Sequence, residues 1–193
     1  MKNRFLIGLV CISILLSAAG CKNKENNSVK DENTNKNETT QTVKSKCSYY
    51  KCLSMMTLDN TMDELDEIVG FKAESVDVTT ENMTRYEYDF GNDKKITVTL
   101  YKDKLSTIKI EYDKKDLKNK KVTLENLSDI KARINDGISY DEFKEAVGGV
   151  DGTLIEVSSW NKYVWVAEDG SSNVTASFGK DGNLKFFSGL GFK

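Results

Sequence analysis

Two stretches of the chain carry the same arrangement of apolar and polar positions. In Ser139 to Gly149, the apolar residues Tyr140, Phe143, Ala146 and Val147 recur at helical spacing. Ser139 and Glu142 stand at the capping-box spacing, so the side chain of each can satisfy a backbone N–H of the other. Asp141 and Glu142 place negative charge at the positive end of the helix dipole, and Gly148-Gly149 supplies a left-handed stop. Thr61 to Gly70 has the same parts: Thr61 and Glu64 as the box, Met62, Leu65, Ile68 and Val69 as the face, and Gly70 as the stop. The boxes lie about 78 positions apart, a period that predicts an internal repeat.

A shorter apolar face precedes each of these helices. Tyr49, Cys52 and Met56 form one, and Leu127, Ile130 and Ile134 form the other, with Thr123 as its predicted N-cap. After each helix pair the period changes to two. Tyr86, Tyr88 and Phe90 alternate with Glu87 and Asp89; Ile96, Val98 and Leu100 alternate with Thr97 and Thr99; Ile108 and Ile110 alternate with Lys109 and Glu111. The second copy runs through Tyr163-Val164-Trp165, then Val174 to Phe178, then Leu184 to Phe187, separated by Asp-Gly turns. Val76 to Val78 and Leu154 to Val157 add a further strand to each copy, and Lys114 to Lys121 is a charged connector between them. The strands' apolar side needs the helices to cover it, which leaves the other sheet face open and mostly polar.

Before residue 47 the pattern is of another kind. Lys2 and Arg4 precede an apolar run from Phe5 to Leu16, too short for a comfortable membrane span, which contains Cys11. It closes with Leu16-Ser17-Ala18-Ala19-Gly20-Cys21, which resembles the lipobox of bacterial lipoproteins. Ala18 departs from the usual Leu. The resemblance implies cleavage before Cys21, diacylglycerol on its thiol, and a protein held by lipid on the extracytoplasmic side of the cell membrane. The other reading is a plain secretory peptide cleaved near Ala19, with Cys21 a free thiol. Residues 22–46 are rich in Asn, Lys, Thr and Glu and cannot bury enough surface to fold. As a flexible tether they would hold the rest roughly 25–30 Å from the anchor.

Composition narrows the chemistry. A net charge of −2 gives no basic footprint for nucleic acid, and the absence of His removes the commonest general base and metal ligand. No catalytic set, metal site or cofactor site is expected. Cys47 and Cys52 would lie roughly 8–9 Å apart in a continuous helix, too far to bridge. A disulfide therefore requires Cys47 to precede the helix, and two free thiols are the alternative. Asp63, Glu64, Asp66 and Glu67 read as a solvated helix face. Asp89-Phe90-Gly91 lacks the loops that accompany it in kinases, and Gly148 to Gly152 lacks the Lys-Ser/Thr of a phosphate loop. The sequons at Asn37, Asn82 and Asn173 are incidental in a bacterial lipoprotein. Trp160, Tyr163 and Trp165 form the largest aromatic cluster, with the phase of Tyr163 and Trp165 matching Tyr86 and Tyr88 on the core side. By that phase the open face shows Glu87, Asp89, Thr97, Thr99, Tyr101, Val164, Val166, Thr175 and Ser177, of which Tyr101, Val164 and Val166 are the costly residues to expose.

The stretch from Gly137-Ile138-Ser139-Tyr140-Asp141-Glu142-Phe143 through Val147-Gly148-Gly149, Tyr163-Val164-Trp165 and Lys180-Asp181-Gly182-Asn183-Leu184 resembles the repeat of the beta-lactamase inhibitory protein. It also resembles a group of bacterial lipoproteins that share that repeat, and more loosely small envelope lipoproteins that assist outer-membrane protein assembly. The likeness is good over 123–193 and weak over 47–112. It implies an α+β fold of two tandem helix-loop-helix plus antiparallel-sheet repeats, with helices on one side and a gripping face on the other. The expected organisation is 1–21 signal peptide, 22–46 tether, 47–117 first and degenerate repeat, and 118–193 second repeat. The expected function is a non-enzymatic, lipid-anchored module that binds a protein through the open face. Binding of a small ligand or cell-wall fragment, and inhibition of a beta-lactamase-type enzyme, are the alternatives.

Overall fold

The chain, seen in a computed structural model that describes residues 44–76 and 80–191, builds α1 (Tyr49–Met55), α2 (Met62–Val69), β1 (Glu74–Val76), β2 (Met83–Asp89), β3 (Lys95–Tyr101) and β4 (Lys104–Ile110). A connector holding β5 (Lys118–Asn119) leads to α3 (Leu127–Ala132), α4 (Tyr140–Ala146), β6 (Thr153–Val157), β7 (Trp160–Ala167), β8 (Asn173–Gly179) and β9 (Leu184–Leu190). The signal peptide, the lipidation residue Cys21, most of the tether, and Val78 lie outside the described residues.

Both capping boxes form. The Thr61 hydroxyl accepts from the Glu64 N–H at 3.2 Å, and the Glu64 carboxylate accepts from the Thr61 N–H at 2.8 Å. The second box, Ser139 with Glu142, has the matching distances of 3.2 and 2.9 Å. α2 stops at Gly70, whose φ of +97° places it in the left-handed region. The shorter helices follow the sequence less closely. α3 is capped by Asn126 with no side-chain bond, not by Thr123. The Thr123 N–H instead donates to Val147 O at 3.1 Å, tying the connector to the end of α4. A Cβ on Gly148 would collide there with the Lys121 carbonyl, so only glycine fits.

The strands form a single sheet in the order β1-β2-β3-β4-β6-β7-β8-β9, every neighbour antiparallel. The fold is therefore α+β, and the strands before and after residue 117 belong to one sheet. The join is between β4 and β6, through Ile108 opposite Val157 and Lys109 opposite Glu156. The connector is not the solvated link its charge suggests. Its turn Lys114–Leu117 lies against β7, Asp116 pairs with Lys94 at 2.9 Å, and β5 runs parallel to β7 beside Val166 and Ala167.

The helices pack on one sheet face in two groups. Tyr49, Cys52, Leu53, Leu65 and Val69 cover Tyr88, Ile96, Val98, Ile108 and Ile110; Leu127, Ile130, Phe143 and Val147 cover Trp165, Val174, Ala176 and Phe178. Fully burying an aliphatic side chain contributes about 1.5–3 kcal/mol, so these two faces hold the molecule together. Cys47 lies ahead of α1 and is joined to Cys52 in a disulfide, with Cα atoms 5.4 Å apart.

Candidate binding face

The strand register lays a row of side chains straight across the face without helices: Glu74, Glu87, Thr97, Lys109, Glu156, Lys162, Ser177 and Phe186, one from each strand of the path. Alternation puts them on this side because Tyr88, Val98, Ile108, Val157, Tyr163 and Ala176 face the helices. Two ion pairs stiffen the row and its flank. Lys95 meets Glu87 at 2.9 Å, and Lys162 meets Glu156 at 3.0 Å. The Glu87 carboxylate raises the pKa of Lys95, so that amine stays charged. Arg85, beside Thr99 and Val76, has a buried Nε with no hydrogen-bond partner among the described residues.

Among the described residues, four of the five exposed large hydrophobics lie on this face: Tyr101 at 50 %, Trp160 at 49 %, Phe186 at 54 % and Leu190 at 66 % exposure. Trp160 sits opposite Gly179, which has no side chain to cover it. Phe186 is two strands away and two residues along, roughly 12 Å at ordinary strand geometry. Strands β7 and β9 thus present aromatic surface next to a fixed row of charges.

The nine residues expected on this face divide sharply. Tyr101 and Asp89 are exposed, and Glu87 and Thr175 are half-buried. Val164 and Val166 are buried, each 1 % exposed, and this corrects the expectation that they are costly exposed residues. The turn Lys114–Leu117 lies against β7, β5 pairs beside Val166, and Leu117 packs against the buried cluster that holds both valines. Thr97, Thr99 and Ser177 are also buried. Each is a short side chain on an inner strand with longer ones in register beside it: Glu87 and Lys109 beside Thr97, Arg85 beside Thr99, Lys162 and Phe186 beside Ser177.

The aromatic cluster Trp160, Tyr163 and Trp165 is split by the strand. Tyr163 and Trp165 pack against Tyr140, while Trp160 faces solvent on the other side. Carrying the alternation of Val164 and Val166 back to Lys162 and Trp160 places Trp160 on the open face. Phe186 could not be placed in this way, because a register shift between Ser177 and Phe178 breaks the phase of β9. Among the described residues there is no group of three or more metal-ligating side chains, and no helix is long and apolar enough to cross a membrane.

No family model matches the chain, and no curated protein matches it. Among solved structures it is similar to a "putative beta-lactamase inhibitor protein" from Streptococcus mutans, at 14% identity, covering 78% of this chain and 100% of that one, with a TM-score of 0.45.

Proposed function

We propose that this chain is a lipid-anchored, non-catalytic module that binds a protein through the open face of its sheet. The observation that carries the reading is that Tyr101, Trp160, Phe186 and Leu190, about half exposed or more, all lie on the one sheet face that no helix covers. Exposed aromatic side chains beside charged groups are the usual anchors of protein interfaces. The two ion pairs keep charged groups in place beside these aromatic side chains. The anchor is read from the lipobox at Cys21, and the doubled unit from the two capping boxes and the recurring order of elements. Inhibition of a beta-lactamase would be one special case of this reading.

The test is a comparison of two baits in an extract of the cell envelope and secreted proteins: the parent chain and a Trp160→Ala, Phe186→Ser double variant with an unchanged circular dichroism spectrum. A protein captured by the parent alone is then purified and titrated directly, and the double variant should bind it at least tenfold more weakly. Equal capture by both baits would remove the open face from the reading. Incorporation of labelled fatty acid that disappears in Cys21→Ala tests the anchor separately.

A further inference from the structure

We infer that the molecule carries a second binding site, on the helix side of the sheet, that takes a small organic anion with a flat ring. It does not rest on the open-face reading, because it lies on the opposite side of the sheet and shares none of the anchors Tyr101, Trp160, Phe186 or Leu190 with that face.

The cleft follows from how the helices are distributed. α1 packs on β4 and β6, whereas α4 packs on the aromatic side chains of β7 and β8. Between these two layers lies a half-open cleft of about 610 Å³, a size suited to a small organic molecule. Its floor is Leu154, Tyr163 and Phe178, and Met56 closes one wall. The Tyr163 ring is backed by Tyr140 at 4.9 Å, which fixes it as a flat surface on which another ring can stack. Burial raises the pKa of the Tyr163 hydroxyl, so it stays neutral and adds no negative charge to the floor.

The rim selects the charge. Lys51 on α1 and Lys180 just beyond β8 stand on the cleft lining and are exposed, and neither makes an ion pair among the described residues. Asp59 is the one carboxylate among the described residues of that lining, so these residues give the rim a net positive charge. Lysine stems extend the apolar wall while their amines stay in water. An apolar, aromatic floor under two unpaired amines suits a ring-bearing carboxylate, sulfonate or phosphate, and disfavours a cation.

Two probes of the same shape separate the floor from the rim: 8-anilinonaphthalene-1-sulfonate, an anion, and N-phenyl-1-naphthylamine, its uncharged counterpart. Each is titrated into the full chain by fluorescence. The parent should show a saturable, one-to-one component with the anion. Lys51→Glu with Lys180→Glu should weaken that component at least tenfold while leaving the neutral probe within about twofold. Leu154→Trp, which fills the floor, should remove both; if it lowers the thermal midpoint, Ser158→Phe on the rim takes its place. Trp160→Ala should change neither. The inference fails if no saturable component responds to filling the cleft, or if charge reversal leaves the anion's affinity unchanged. It also fails if Trp160→Ala abolishes binding, which would put the probe on the open face.

Discussion

In the first half of the sheet, the helices are fastened by particular bonds. The disulfide ties Cys47 to Cys52, and the Tyr49 hydroxyl lies 2.7 Å from Lys95 O and 2.6 Å from Glu111 O, sharing its proton between strand ends. Tyr88 donates to the Asp66 carboxylate at 2.8 Å, joining β2 to α2. In the second half, the largest fully buried residue is Trp165, and it stacks with Tyr140 and Phe143. Its indole N–H donates to Val150 O at 2.7 Å, and Gly152 leaves room for its ring, since a Cβ there would lie 2.5 Å from Trp165 Cζ2. The same order of elements is thus closed by cross-links on one side and by aromatic packing on the other. The backbone plan constrains which positions face inward, and leaves open what chemistry fills them.

The largest effect should come from the packed half. Trp165→Ala removes a buried ring and an indole bond, and should cost about 4 kcal/mol, read as a fall in the urea midpoint. A loss below about 2 kcal/mol would mean that the neighbouring rings close the gap, and the contrast between the halves would weaken.

The cross-linked half should respond to reduction. The disulfide closes a six-residue loop, Cys47 to Cys52, for which chain entropy gives about 2 kcal/mol. Reductant should lower the stability of the parent by that amount, read as a fall in the urea midpoint, and leave a Cys47→Ala, Cys52→Ala variant unaffected. An unchanged parent would show that packing of α1 alone secures this half. Tyr88→Phe should cost about 1.5 kcal/mol, because the Asp66 carboxylate loses one donor and keeps the Ala73 N–H at 3.2 Å.

The same contrast explains what could be read from the sequence. Both capping boxes, their faces and the strand phases of β2 to β4 are local patterns, and each is visible in a few consecutive residues. What was missed depends on distant contacts. Val164 and Val166 have the right phase for the open face, but they are buried in a strand against which a connector more than 40 residues earlier packs. Nothing in Lys114 to Lys121, with its five lysines, signals that it will pair beside β7. Phe186 was hidden by a register shift in β9, whereas Trp160 was legible had the alternation been carried four residues back from Val164. The open sheet face was therefore located from the sequence, but Thr97, Thr99, Val164, Val166 and Ser177 are buried on it.

The smallest effect concerns the feature the halves share. Glu64 and Glu142 both have pKa values lowered first by the N-cap backbone N–H, of Thr61 and of Ser139. A carboxyl depressed in the folded state contributes stability above its unfolded value, near 4.5, and loses it as pH falls through the folded value. Glu64→Gln and Glu142→Gln should each flatten the fall of the urea midpoint below about pH 4.5, since Gln can keep the cap without titrating. The two boxes should part company in salt. Asn60 supports Glu64 by a neutral hydrogen bond, whereas Arg133 supports Glu142 by an exposed ion pair at 3.2 Å. Raising the ionic strength to 1 M screens the exposed pair. The flattening caused by Glu142→Gln should then shrink, while that caused by Glu64→Gln stays the same. If salt alters both equally, the ion pair adds nothing to the second cap, and the two boxes are alike in their energetics as well as in their geometry.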